Sequence, residues 1–273
     1  MVSNKITTLQ INNKRTISYS VKKSGNNHNT FVFLHGLGGD LTAWDYIIRS
    51  GLFDSFNMLV IDLFGHGDSG RPLNFKDCSI HQMAEDVKMV IEKENLKNCI
   101  LAGHCLGGMV SIELLILYPN LFNKAILINT SAGVPWFGGI LRIPFAQKIL
   151  LFMSNHLPEL FPHKRADHIR FWNTGNYSFP RLFSDMKNTG LGSYFKLLVG
   201  VSGFNRWKDL LKITTPVYVI SSENDTIYPP SIGKKISQGI AHSQFNIIKR
   251  ASHVVVLSDY TEELTDMIKK FIS

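Results

Sequence analysis

The sequence predicts an α/β fold with a mostly parallel central sheet flanked by helices, and three observations carry that prediction. Short apolar, β-branched runs alternate with stretches of helical period. The runs are almost continuously apolar, the mark of strands buried on both faces of a parallel sheet. The rhythm then breaks once, from about Val134 to about Leu211, where aromatic-rich helical patterns replace strands. Residues 1–133 and 212–273 therefore read as one α/β core, and 134–211 as a helical lid inserted into it.

The elements follow in order. The opening "MVSNKITTLQINNKRTISYSVKKSG" alternates with a strand period and reads as two short strands. It lacks the apolar segment of a secretory signal, so a cytoplasmic protein is expected. Strands are predicted at "TFVFLHG", "FNMLVIDLFG", "NCILAGH", "KAILINTS", "PVYVISSEND" and "QFNIIKRASH". Helices are predicted at "LTAWDYIIRS", "SIHQMAEDVKMVIEKENL", "LGGMVSIELLILYPN", "PSIGKKISQGI" and the terminal "TEELTDMIKKFIS". No apolar run approaches the roughly 20 residues that span a bilayer, so no integral membrane segment is expected.

Composition narrows the chemistry. Three cysteines, Cys78, Cys99 and Cys105, form no CxxC pair, which argues against a disulfide framework or a zinc site and for free thiols in a reducing compartment. The formal charge is +8, and between Ala132 and Lys208 ten Lys/Arg face three Asp/Glu, so the excess sits in the lid. An ordinary solvated face is the plain reading, with preference for anionic or amphiphilic substrates as the alternative; no nucleic-acid partner is expected. Gly65–Gly70 fits G-x-G-x-x-G after a strand, yet "RPLNFKDC" follows, where a dinucleotide site needs a helix opening at once. With no Walker lysine and no metal-ligand spacing, neither cofactor nor metal is expected.

In an open parallel sheet, ligands bind beyond the carboxyl ends of the strands. The residues there are chemically pointed: His35-Gly36-Leu37-Gly38-Gly39, then Gly103-His104-Cys105-Leu106-Gly107-Gly108, then Glu223-Asn224-Asp225, then His253. Together "HGLGGD", "DLFGHGDSGRP", "GHCLGG", "SSENDTIYPP" and "ASHVV" occur in an order and spacing that resemble the α/β-hydrolase superfamily over nearly the whole chain outside the lid. The resemblance implies a strained strand-to-helix turn that lifts a nucleophile above the sheet, with acid and histidine following in chain order. On that pattern Cys105 is the nucleophile, His253 the base and Asp225 the residue that orients it. Backbone amides of Leu37 and Leu106 would form the oxyanion hole.

The departure from the family is cysteine where most members carry serine. A Cys/His pair implies an acyl-thioester intermediate on a carboxylic ester, thioester or lactone. Hydrolysis is the leading expectation; acyl transfer through the same intermediate and a slow-turnover small-molecule receptor stand as alternatives. Asp62 also ends a strand and is the rival acid. His35 and His66 read as loop supports, His104 as lining the pocket base, Cys99 as structural. Lid residues such as Phe137, Leu141, Phe145, Phe152, Phe161, Phe183 and Trp207 form either the lid's own core or a pocket for an apolar acyl group.

Overall fold

A computed structural model describes residues 5–25, 29–134, 143–156, 165 and 168–273. Eight strands, β1 (Ile6–Asn12), β2 (Arg15–Lys22), β3 (Asn29–Leu34), β4 (Asn57–Ile61), β5 (Lys97–His104), β6 (Phe122–Ile128), β7 (Val217–Ser222) and β8 (Ser243–Ile248), form one sheet. Their order is β1-β2-β4-β3-β5-β6-β7-β8. From β4 onward every pairing is parallel, whereas β1–β2 and β2–β4 are antiparallel. The two predicted opening strands thus form a hairpin that caps one edge of a parallel sheet.

Helices α1 (Asp45–Ile48), α2 (Ile80–Lys93) and α3 (Leu106–Leu117) follow β3, β4 and β5. Helices α4 (Pro144–His156), α5 (Phe179–Thr189) and α6 (Leu191–Val201) lie between β6 and β7, α7 (Pro230–Gly239) between β7 and β8, and α8 (Thr261–Ile272) ends the chain. Because successive strand residues point to opposite faces, the central strands feed two cores. Val32, Leu34, Leu59 and Ile61 pack against α2 and α3 through Met83, Val87, Val110 and Leu114. Phe31, Phe33, Met58 and Val60 pack on the other face against Trp44, Ile47, Leu264 and Ile268. That is why the strand runs read as continuously apolar.

The hairpin edge is locked by a buried ion pair. Arg15 of β2 pairs with Asp86 of α2 through its Nε (2.6 Å) and a second nitrogen, donates to the Asp77 carbonyl at 2.8 Å, and lays its guanidinium 3.7 Å from the Phe64 ring centroid. Between β6 and β7 the regular elements are helices. Ser154 of α4 donates to the Gly192 carbonyl at 2.9 Å, joining α4 to α6. Asn188 of α5 donates to the Gly38 and Gly39 carbonyls at 3.1 and 3.2 Å, which ties this segment to the loop after β3.

Candidate active site

Strand β5 ends at His104 and α3 begins at Leu106, so Cys105 alone makes the turn, at φ 52° and ψ −112°. For a residue with a Cβ this backbone costs roughly 1–3 kcal/mol and persists only where the surroundings impose it. They do so here. The Cys105 N–H donates to the Ile128 carbonyl at 3.1 Å, and its carbonyl accepts from the Gly108 and Met109 amides and the Thr130 hydroxyl. A Cβ on Gly103 would strike Ser111 and the Gly107 carbonyl; one on Gly107 would strike the Leu34 carbonyl. The two glycines are needed for close approach, and the turn leaves Cys105 only partly buried.

His253 and Asp225 reach Cys105 from the loops after β8 and β7. The Nδ1–H of His253 donates to Asp225 Oδ2 at 2.7 Å, and Cys105 stands close enough for its charge to act on the ring. Asp225 is held by its other oxygen, which accepts from the Ile227 and Tyr228 amides, both at 2.8 Å. Burial depresses the His253 pKa, but the Cys105 side chain, the hydrogen bond to Asp225 and the Asp225 charge outweigh it and push the pKa up to about 10. The structure brings the three sequence-predicted residues together, with His253 hydrogen-bonded to Asp225 and beside Cys105. The rival acid is elsewhere: Asp62 is fully buried, accepts from the Leu41 and Asp68 amides at 2.7 and 2.9 Å, and pairs with Arg165 at 2.8 Å.

Leu106 is the first residue of α3, with its N–H at the exposed start of the helix. A Cβ placed on Gly36 would lie 3.2 Å from Cys105 Cβ, so the loop carrying Leu37 runs directly past Cys105. Among the described residues neither the Leu37 nor the Leu106 amide has a hydrogen-bond acceptor.

The supporting histidines behave as their loop positions suggest. His35 accepts from the Leu63 amide at 3.0 Å on Nε2 and donates to the Gly36 carbonyl at 2.8 Å on Nδ1. His66 bonds the Phe64 carbonyl at 3.2 Å. Burial lowers the pKa of both. His104, held down at about 3 mainly by burial, donates Nε2–H to the His253 carbonyl at 2.9 Å.

Sequence reasoning missed Asn129. At φ 45° just past β6, it donates to the His253 carbonyl at 2.8 Å and the Ser222 hydroxyl at 2.8 Å, and accepts from the Ser222 amide at 2.8 Å. Its place at the carboxyl end of a strand was the available signal.

The segment between β6 and β7 also reaches the site, through residues that no motif marked. Burial first, then the Asp185 and Cys105 charges, push the Tyr194 phenol up to about 12, and the Arg181 charge acts on His104. The Asp185 Cβ lies 2.7 Å from where a Gly38 side chain would begin. Burial, partly opposed by Arg181 and assisted by Asp40, raises the Asp185 carboxyl to about 7. Of the aromatics expected here, Phe204 is buried and Trp207 packs on the core, while Phe145, Phe152 and Phe183 are exposed. Phe137, Leu141 and Phe161 lie outside the described residues.

Comparison with known proteins places this geometry. The human Protein ABHD8 is 25% identical over 257 residues, covering 88% of this chain and 54% of that protein, so the chain spans about half the length of that relative. A putative carbamate hydrolase, RutD, from Pseudomonas syringae pv. syringae (strain B728a) is 25% identical over 238 residues, covering 84% of this chain and 88% of its own. The crystal structure of the enol-lactonase from Burkholderia xenovorans LB400 superposes with a TM-score of 0.74 at 20% identity, over 95% of this chain and 97% of that one. The model of the alpha/beta hydrolase fold matches residues 29–260, a span that runs from β3 through Cys105, Asp225 and His253, and the chain belongs to the alpha/beta hydrolase fold family.

Proposed function

We propose that this chain is a hydrolase of a carboxylic ester, thioester or lactone that works through an acyl-thioester on Cys105. The observation that carries the reading is the strained Cys105 at the head of α3, beside a His253 whose Nδ1 is fixed at 2.7 Å from Asp225. The His253 ring takes the thiol proton, and the thiolate attacks the substrate carbonyl carbon. The oxyanion is held by the Leu37 and Leu106 amides, each such donor contributing about 3 kcal/mol. The C–O or C–S bond to the leaving group breaks, and the His253 imidazolium returns the proton to that group. Water then attacks the acyl-thioester carbonyl, giving its proton to His253, which passes it to Cys105 as the acid leaves.

Asp225 stabilises the imidazolium and fixes the tautomer throughout. Helices α4 to α6, in the segment between β6 and β7, serve as the lid over the acyl group. Relatives described as an enol-lactonase and a putative carbamate hydrolase agree with attack at a carbonyl carbon. The free thiols of Cys78, Cys99 and Cys105 suit a reducing compartment and a cytoplasmic location.

The test is covalent. Brief incubation with p-nitrophenyl acetate, then intact-mass and peptide analysis, is expected to find one acetyl group on Cys105, absent from Cys105→Ala. Acetyl on Ser69, or turnover unchanged in Cys105→Ala, would refute the reading.

A further inference from the structure

The lid is fastened to the histidine loop. The Trp172 indole donates to Asp259 at 2.6 Å, the Asn173 side-chain amide donates to the same carboxylate, and the Asn173 oxygen accepts from the Asp259 amide at 2.9 Å. The Asn173 N–H donates to the Leu257 carbonyl at 3.1 Å. Three residues on, Asn176 accepts from the His253 N–H at 2.7 Å on Oδ1 and donates from Nδ2 to the Asn224 carbonyl at 2.6 Å. One side chain thus bridges the loop that carries the histidine and the loop that carries its acid.

The strap has its own brace. Arg181 of α5 donates to the Thr174 hydroxyl at 2.8 Å and to the Gly175 and Asn176 carbonyls at 2.7 and 2.9 Å. Its Nε stands 3.9 Å from Asp185. Three of the arginines that made the lid look basic are in fact committed internally, since Arg165 serves Asp40, Asp62 and Asp68, and Arg206 serves Glu113 and Asp209.

We propose that Asn176 is a positioning residue for the reaction described above, setting the His253 ring between Cys105 and Asp225 by holding the His253 backbone from the lid side. This rests on the Cys105–His253–Asp225 reading of the site. His253 is then clamped from both sides. His104 and Asn129 hold its carbonyl from the sheet, and Asn176 holds its amide from the lid. A peptide fixed at both ends leaves the side chain little room to swing, and misplacement of a catalytic group by about 1 Å can cost on the order of 10²-fold in rate. The lid so described does more than cover substrate, because its residue 176 shapes the base.

The experiment compares wild type with Asn176→Ala, with near-isosteric Asn176→Leu, and with Asn176→Asp, which keeps an oxygen for the His253 N–H. Two readouts are taken on chains of matched thermal stability: the acylation rate with p-nitrophenyl acetate, and the His253 ring nitrogen signals by NMR without substrate. The expected result is acylation slowed about ten- to a hundredfold in the alanine and leucine variants. KM should stay within about twofold, His253 ring signals should be displaced, and both readouts should move back toward wild type in Asn176→Asp. If the alanine variant does not fold, the leucine variant carries the comparison. Ring signals and rates equal to wild type in either folded variant would overturn the proposal, as would a slowdown that the aspartate variant shares in full. Displaced ring signals in a chain whose wild type never acylates Cys105 would uphold the clamp and refute the thioester mechanism instead.

Discussion

At the scale of single residues, the site combines one strained backbone with two carboxylates in opposite roles. Asp225 is satisfied by two amides and one imidazole, so on the proposed reading it orients His253, and Asp225→Asn should present an amide where an acceptor is needed. By analogy with other triads, acylation of Cys105 is expected to fall on the order of 10³–10⁴-fold with little change in melting temperature, measured by burst kinetics and calorimetry. Asp185 is the contrary case, a carboxyl raised to about 7 chiefly by burial against the loop after β3. The folded state binds its proton more readily than the unfolded chain does. Its contribution to stability is therefore fully present below about pH 4 and is lost as pH rises through about 7. Asp185→Asn escapes that loss. Relative to wild type, the variant should gain thermal stability between pH 5 and pH 8, and a pH-independent difference would refute the assignment.

At the scale of elements, legibility followed local pattern. The strands from "TFVFL" to "PVYVI" announced themselves because burial on both faces demands nearly unbroken apolar runs, whereas the edge strand β8 is largely exposed and carries only a short apolar pattern. The elbow announced itself because only glycines tolerate the approach of β3 to α3 at Gly103 and Gly107. What stayed hidden depends on contacts between residues far apart in the chain. Asn129, Asn176 and Arg181 are ordinary polar residues whose roles come from partners 77 to 124 positions away or from backbone carbonyls. The Arg15–Asp86 pair is hidden in the same way, joining β2 to α2 across 71 positions. Breaking a buried pair on one side strands the other charge, so Arg15→Met should cost about 3–5 kcal/mol in urea denaturation. Replacing both residues, as Arg15→Met with Asp86→Leu, should recover most of it. A single-variant cost below about 1 kcal/mol would mean the hairpin edge draws its stability elsewhere.

At the scale of the whole molecule, the topology assembles the site without any one element containing it. Strands β3, β5, β7 and β8 are parallel, so the loops bearing Leu37, Cys105, Asp225 and His253 all open at the same sheet edge. Helices α4 to α6 enter between β6 and β7, and this segment touches both the loop after β3 through Asn188 and the loop bearing His253 through Asn176. This arrangement bears on whether the acyl group goes to water or to another acceptor. A thioester stays reactive toward amines, thiols and alcohols, so transfer needs the site to exclude water or to hold the acceptor in place. The commitments of Arg165, Arg181 and Arg206 remove part of the charge that would grip an anionic acceptor, and Phe145, Phe152 and Phe183 are exposed. Water should therefore prevail. During turnover of one activated ester with millimolar amine, thiol or alcohol added, acid release is expected to stay constant while no transferred product accumulates. Transfer that dominates at low acceptor concentration would overturn the hydrolase reading, and the same partition measured in Cys105→Ser would separate the effect of sulfur from that of the lid. A serine variant that hydrolyses with the same partition would assign water's access to the lid geometry, whereas transfer appearing only with sulfur would assign it to the thioester itself.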